Sequence, residues 1–241
     1  MTTANPSQVE VELVPEGGEV VSSGSPWRLV GRTFVQNKLA IVGVVAIVIL
    51  FLFCYIGPLI YKTDQINGNL ALAHAGPSSA HLLGNDSNGF DIIGRLMQGG
   101  KSSLEVGLVV GFASTLIGLI YGAISGYFGG VLDGVLMRLV DVGLAIPIVF
   151  LFVFAAAIYR PNLGLLMLLL VLVSWLIPAR LVRGEALTLR TREYVQAVKV
   201  MGGTPWRIIV RHLVPNTIGT IVVTVTFQIA NAILTLAVLQ Y

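Results

Sequence analysis

Long apolar runs decide what this chain can fold into. They fall at about 39–60, 103–127, 142–159, 165–179 and 216–239, each bounded by polar or turn-forming residues. Inside a bilayer a segment must satisfy its own backbone N–H and C=O groups, and a helix of about 20 apolar residues does so. The pattern therefore predicts an all-α, polytopic membrane protein with about five transmembrane helices. Composition agrees, with 55% hydrophobic and 11% charged residues and a mean hydropathy of +0.86, values foreign to soluble domains. The one cysteine, Cys54, lies within the first run, so no disulfide can form inside the chain. A formal charge of +3 suits basic loops at an anionic membrane surface better than nucleic acid.

Residues 1–26 are polar, with Glu10, Glu12, Glu16 and Glu19, and are expected to form a disordered cytoplasmic tail. Residues 27–61 form the amino-terminal anchor and first span, and 62–102 a loop on the outer side. His81, Asp86 and Asp91 in that loop are poor candidates for a metal site, because no further His or Cys lies near them. Gly100-Lys101-Ser102 resembles the end of a phosphate-binding loop, but the first glycine of that motif would fall on Arg95, and no strand precedes it. Residues 103–241 make the core. The second run carries Gly107, Gly111, Ser114, Gly118, Gly122 and Ser125, a small-residue face suited to close helix contact in lipid. Arg138 and Asp141, one turn apart, are expected to pair.

Between the last two runs lies a basic island, EYVQAVKVMGGTPWRIIVRHLVPN, from Glu193 to Asn216 within a cytoplasmic loop at 180–214. It predicts two short helices. The first stops at Gly202-Gly203, where positive φ is wanted; the second starts at Thr204-Pro205 and ends at Leu213, ahead of Pro215. A plain loop, a DNA-binding helix-turn-helix and a force-receiving docking helix all fit this outline. Flanking spans would hold the island too close to the bilayer for a duplex to dock.

The final run bears Thr217, Thr220, Thr224, Gln228, Asn231 and Thr235 on one helical face. An amide in hydrocarbon needs a partner or water, so this stripe faces a neighbouring helix or a wet cavity. Thr220, Thr224, Gln228, Asn231 and Thr235 are the candidates for a translocation path.

Three stretches resemble one family. The island is similar to the EAA loop of ABC importer permeases, through Gln196-Ala197-Val198, Gly202, Ile209 and Pro215, with Gln196 and Val198 departing from the usual residues. HLLGNDSNGFDIIGRLMQGGKSSL, from His81 to Leu104, resembles a signature of the dipeptide, oligopeptide and nickel importer permeases; Asn85, Phe90, Gly94 and Lys101 depart from it. The segment SPWRLVGRTFVQNKLAIVGVV resembles the amino-terminal part of their C-type subunit.

The resemblance implies a type I ABC importer permease fold, with the sixth helix of the family missing after Tyr241, as in a truncated or partial chain. It implies a non-catalytic subunit of an importer of peptides or, alternatively, nickel. Its partners would be a second permease, two ABC ATPase subunits that hold the ATP and magnesium, an extracytoplasmic solute-binding protein and membrane lipid, with no nucleic acid. No cofactor or metal is expected in this chain. Glu193, Tyr194, Gln196, Ala197, Gly202, Gly203 and Thr204 would make the ATPase contact.

Placing the amino terminus inside puts Arg28, Arg32, Lys38, Arg138, Arg180, Arg183, Arg190, Arg192, Lys199, Arg207 and Arg211 on the cytoplasmic side of an inner cell membrane. Only Lys62, Arg95, Lys101 and Arg160 then lie outside. An ATP-independent carrier or a scaffold is the alternative of another class. A carrier of that kind usually needs an ionisable group within the membrane or a discontinuous helix pair, and no buried charge is expected beyond Glu105, near the outer end of its span.

Overall fold

The computed structural model describes residues 34–63, 67–147, 150–152, 154, 158 and 162–239. The expected tail at 1–26 and the Arg160-Pro161 turn lie outside these residues, as does part of the expected third span at 142–159. The chain divides into two compact units, 1–49 and 50–241.

Helices α1 (Lys38–Tyr55) and α2 (Gly57–Ile60) form the first apolar segment. Along α1 the apolar side chains, among them Leu39, Ile47 and Leu52, are exposed, as lipid-facing positions require. A loop with one 3₁₀ turn, Leu70–Leu72, leads to α3 (Ile92–Phe128) and α4 (Gly130–Ala145). Then come α5 (Leu163–Ser174), α6 (Leu176–Leu189), α7 (Glu193–Val200), α8 (Pro205–Ile208), a π-helical turn (Ile209–Leu213), α9 (Val214–Asn216) and α10 (Ile218–Leu239). Four segments among the described residues are long and apolar enough to cross a membrane: Lys38–Ile60, Ile92–Phe128, Leu163–Leu189 and Ile218–Val238.

Helix α3 is the axis of the fold. Its 37 residues run to roughly 55 Å at 1.5 Å per residue, well beyond a hydrocarbon core of about 30 Å. The helix begins at Ile92, so residues expected in the loop up to 102 belong to its first turns. The Asp91 carboxylate accepts the Gly94 N–H at 2.7 Å and caps that end, which an apolar-run boundary could not reveal.

Small residues set what α3 touches. A Cβ on Gly111 would fall 2.4 Å from Ile229 Cγ1 of α10, and one on Gly122 would fall 2.4 Å from the Ala179 carbonyl oxygen of α6. The first half of the stripe therefore receives α10 and the second half receives α6, at backbone contact. Val106, Val110, Phe152, Leu170, Ala232 and Leu236 fill the core beside the first half, and Met137, Val140, Leu176 and Ala179 join α4 to α6. The expected small-residue face is thus a helix-packing face.

Two boundaries differ from expectation for reasons of hydrogen bonding. The fourth span does not end at Ala179. It pauses at Trp175 and continues as α6 to Leu189, so Arg180 and Arg183 are helical residues and not part of a loop. Nor does the chain leave the helix at Leu213. The π turn at Ile209–Leu213 passes through Val214 N–H to the Ile209 carbonyl, and helical structure persists across Pro215. A widened turn absorbs the missing donor of proline, and Asn216 Nδ2 donates to the His212 carbonyl at 2.6 Å. The expected Arg138–Asp141 pair also fails to form. Asp141 instead accepts from Arg180 of α6, because α4 lies against that helix.

Candidate functional site: the helix–Gly–helix island

The sequence-predicted island folds as two helices joined by a tight reversal. At the end of α7, Gly202 N–H donates to the Lys199 carbonyl at 3.1 Å and Gly203 N–H to the Val198 carbonyl at 2.9 Å, the paired bonds of a Schellman motif. Gly202 takes φ +85° in open space, so glycine is needed there for conformation and not for room. Thr204 Oγ1 then accepts the Arg207 N–H at 3.4 Å, with Pro205 opening α8.

A small core holds this turn from behind. Val195, Ile208 and Leu213 are buried against Ala186 of α6, with Tyr127, Leu189 and Val198 packed around them. The sequence reading did not single out Val195 or Ile208. For Val195 the signal is spacing, one turn before Val198 on the inner side of α7; Ile208 carries no such signal, because its buried partner Leu213 lies five residues on, across the π turn.

The candidate residues divide by role. Glu193 opens α7, where its charge favours the positive end of the helix dipole. Tyr194 is half exposed, its ring centroid 6.5 Å from that of His212. Gln196 Nε2 donates to the Arg190 carbonyl at 2.8 Å, so its amide braces the preceding turn. Ala197 is exposed, and Gly203 is half-buried against Val198. The outward face holds large apolar residues: Val200 is 88% exposed, Met201 77% and Trp206 64%, with basic Lys199 and Arg207 beside them. A cleft of about 770 Å³ lined by Leu189, Thr191, Arg192, Glu193, Tyr194 and Asn216 opens at the start of α7.

The polar stripe of α10 does not act as one surface. The hydroxyls of Thr217, Thr224 and Thr235 donate to the carbonyls of Val214, Thr220 and Asn231, at 2.9, 2.7 and 2.8 Å. Thr220 is half-buried and Asn231 exposed. Gln228 alone reaches across: Nε2 donates to the Ser174 carbonyl at 2.5 Å and lies 3.3 Å from Ser114 Oγ. The cause is Pro178. In a continuous helix the Ser174 carbonyl would accept from the N–H of residue 178, which proline lacks, and Gln228 supplies the missing donor. Of the two environments expected for the stripe, Gln228 takes the neighbouring helices and Asn231 the open side.

The loop before α3 is knit internally. His81 Nδ1 and the Tyr61 hydroxyl both approach Asp91 Oδ2 at 2.8 Å, and Asp86 accepts from the Asn88 and Phe90 N–H groups and from Arg95 Nη1 at 2.5 Å. Arg95 also lies over the Phe90 ring, 5.0 Å from its centroid, which gives that departure from the signature a partner. Burial pushes the Asp91 carboxyl up, but the Gly94 N–H, His81 and Tyr61 outweigh it and hold it below its ordinary value. The expectation that Glu105 is the one buried charge fails: Glu105 is half-buried, whereas Asp91 and Asp133 are both buried. Both are tied by hydrogen bonds, Asp133 to Arg183 and Ser125.

Comparison with known proteins matches this arrangement. The sequence pattern of the binding-protein-dependent transport system inner membrane components fits residues 116–241, and that of the N-terminal TM domain of oligopeptide transport permease C fits residues 25–77. The oligopeptide transport system permease protein OppC of Bacillus subtilis (strain 168) is 35% identical over 217 residues, 90% of this chain and 71% of the relative. The dipeptide transport system permease protein DppC of the same strain is 35% identical over 202 residues, 84% of this chain and 63% of the relative. OppC of Mycobacterium tuberculosis (strain ATCC 25618 / H37Rv) is 37% identical over 214 residues, 86% of this chain and 72% of the relative. The chain spans between 63% and 72% of these relatives' lengths. On these matches and its helix–Gly–helix island, the chain belongs to the binding-protein-dependent transport system inner membrane components, in their C-type permease branch.

Proposed function

We propose that this chain is a transmembrane subunit of an ATP-driven importer of di- or oligopeptides, and that the island receives the ATPase subunits. The observation that carries the docking reading is the pairing of a rigid back with an apolar front: Val195, Ile208 and Leu213 buried behind, Val200, Met201 and Trp206 exposed ahead. Exposed apolar side chains on a braced, basic turn suit a protein partner. The oligopeptide and dipeptide names of the relatives favour peptides over nickel.

In this reading the amino terminus and the island are cytoplasmic, the loop before α3 faces the external binding protein, and a second permease completes the pore. The two ATPases supply ATP and magnesium, and their closure drives the island so that the spans tilt as rigid bodies. Thr220, Thr224, Asn231 and Thr235 remain candidates to border the peptide path, whereas Gln228 serves α5 and α6.

The test is purification of the tagged full-length protein in mild detergent, followed by reconstitution in vesicles with radiolabelled tripeptide outside and ATP inside. Co-purification of two ATP-binding chains and a second permease, with ATP-dependent uptake, is expected. Recovery of this chain alone, in a detergent that preserves other membrane complexes, would turn the reading toward an ATP-independent carrier.

A further inference from the structure

The corner between α3 and α4 is fastened to α6 in a way that packing alone does not require. Arg183 of α6 meets Asp133 of α4 at two points, Nε to Oδ1 at 2.6 Å and Nη2 to Oδ2 at 2.6 Å. Ser125 Oγ of α3 donates to the same Oδ1 at 2.5 Å, and Asp133 is only 7% exposed. Beside it, Arg190 Nη1 donates to the Tyr127 carbonyl at 3.3 Å. Gly129, with φ +65°, lets it approach; a Cβ there would sit 2.1 Å from Nη1.

Burying an ion pair adds little stability over an apolar pair of the same shape, because desolvation offsets the attraction. What a two-point Arg–carboxylate contact does add is direction: it fixes the rotation of one element against another. Here it fixes α6 against the α3–α4 corner, in the half of α6 that leads into the island. The island's own core touches the same two places, through Ala186 of α6 and Tyr127 at the end of α3.

We infer that Arg183 and Asp133, supported by Ser125 and Arg190, are positioning residues that make the α3 end, α4 and α6 move as one body when the island is displaced. The inference rests on the docking reading of the island and adds the route by which displacement reaches the spans. A push at Met201 and Trp206 would pass through Val195 and Ile208 to Ala186 and Tyr127. The clamp would stop α6 from rolling alone.

The experiment uses the whole importer complex in vesicles and reads three things: ATPase subunits retained, ATP hydrolysed and peptide moved per ATP. Asp133→Asn is expected to retain the ATPases and hydrolyse ATP while peptide moved per ATP falls about fivefold or more, the scale of a typical coupling between sites. Arg183→Lys, which keeps the charge but not the two-point geometry, is expected to fall between Asp133→Asn and wild type. A packing control, Met137→Ala with Val140→Ala, loosens α4 on α6 without touching the pair and is expected to leave the ratio unchanged.

An unchanged ratio in Asp133→Asn overturns the proposal, as does an equal fall in the packing control. If Asp133→Asn does not accumulate, Arg183→Lys decides alone: a reduced ratio supports the clamp and a wild-type ratio overturns it. Loss of the ATPases from the variants only would assign the pair to docking and overturn transmission. Their absence from the wild-type complex would instead sink the docking reading itself, a separate and recognisable failure.

Discussion

The loop before α3 and the island after α6 are both polar interruptions between apolar helices, yet they use their side chains in opposite ways. In the loop, Asp86, Asp91, His81, Tyr61 and Arg95 are spent on one another and on local backbone N–H groups. In the island the polar work is done by the backbone, through the paired bonds of Gly202 and Gly203, while Val200, Met201 and Trp206 stand in solvent. A segment that ties its carboxylates to its own donors holds its shape unaided, even where Leu70, Leu82 and Leu83 stay exposed. One that braces a turn in order to expose apolar side chains is built for a partner.

The sharpest way to break that contrast is at Gly202. A β-branched residue at φ +85° is a conformational outlier, at a cost of roughly 1–2 kcal/mol or more. Gly202→Val should abolish transport and substrate-stimulated ATP hydrolysis, whereas Gly202→Asn, which tolerates the left-handed region, should keep most of both. Equal damage from both would mean that the position matters for space, contrary to the open surroundings found there.

A second, smaller effect concerns the proline break between α5 and α6. Gln228→Leu leaves the Ser174 carbonyl without its donor and should cost about 1–3 kcal/mol in a thermal unfolding assay, less if lipid-buried partners compensate. Pro178→Ala restores a backbone N–H at that point, so Gln228→Leu should cost less in a Pro178→Ala background. Strict additivity of the two substitutions would contradict the assignment.

Acid should loosen the loop. The folded Asp91 carboxyl lies below its unfolded value of about 3.9, so the stability it gives is whole above that value and is lost as pH falls through the lower folded one. Protection from hydrogen exchange across 81–95, measured against the intrinsic rate at each pH, should therefore fall below about pH 4, following that sign. Asp91→Asn should raise exchange at neutral pH and shrink this acid limb to the part carried by Asp86, whose carboxyl the Phe90 N–H also holds below its ordinary value. The smallest effect is expected at the solvent edge of α3, where Lys101 and Glu105 are 4.0 Å apart and both well exposed. Lys101→Ala should shift stability by no more than about 0.5 kcal/mol.

Much of this was legible in the sequence, for identifiable reasons. Apolar runs marked the helices, glycine and serine spacing marked the packing face of α3, and Gly202, Thr204 and Pro205 marked the island's turn, since each of these signals acts over one or two turns of chain. What escaped was long-range pairing. Nothing near Pro178 announces that Gln228 will serve the carbonyl it orphans, and Arg138 looked the natural partner of Asp141 until α6 brought Arg180 alongside. Helix ends were misplaced at Ile92 and Leu189 because both helices outlast their apolar stretch. Pro215 does not end the helix, because a π turn carries it past that residue.

The most direct measurement is site-specific photo-crosslinking in membranes that express the whole complex, with the reactive residue at Met201 and, for comparison, at Leu83 of the loop, which is also exposed. The docking account predicts that Met201 captures an ATP-binding chain and that Leu83 does not. An island that captures only lipid, or an ATP-binding chain captured from Leu83 instead, would contradict it.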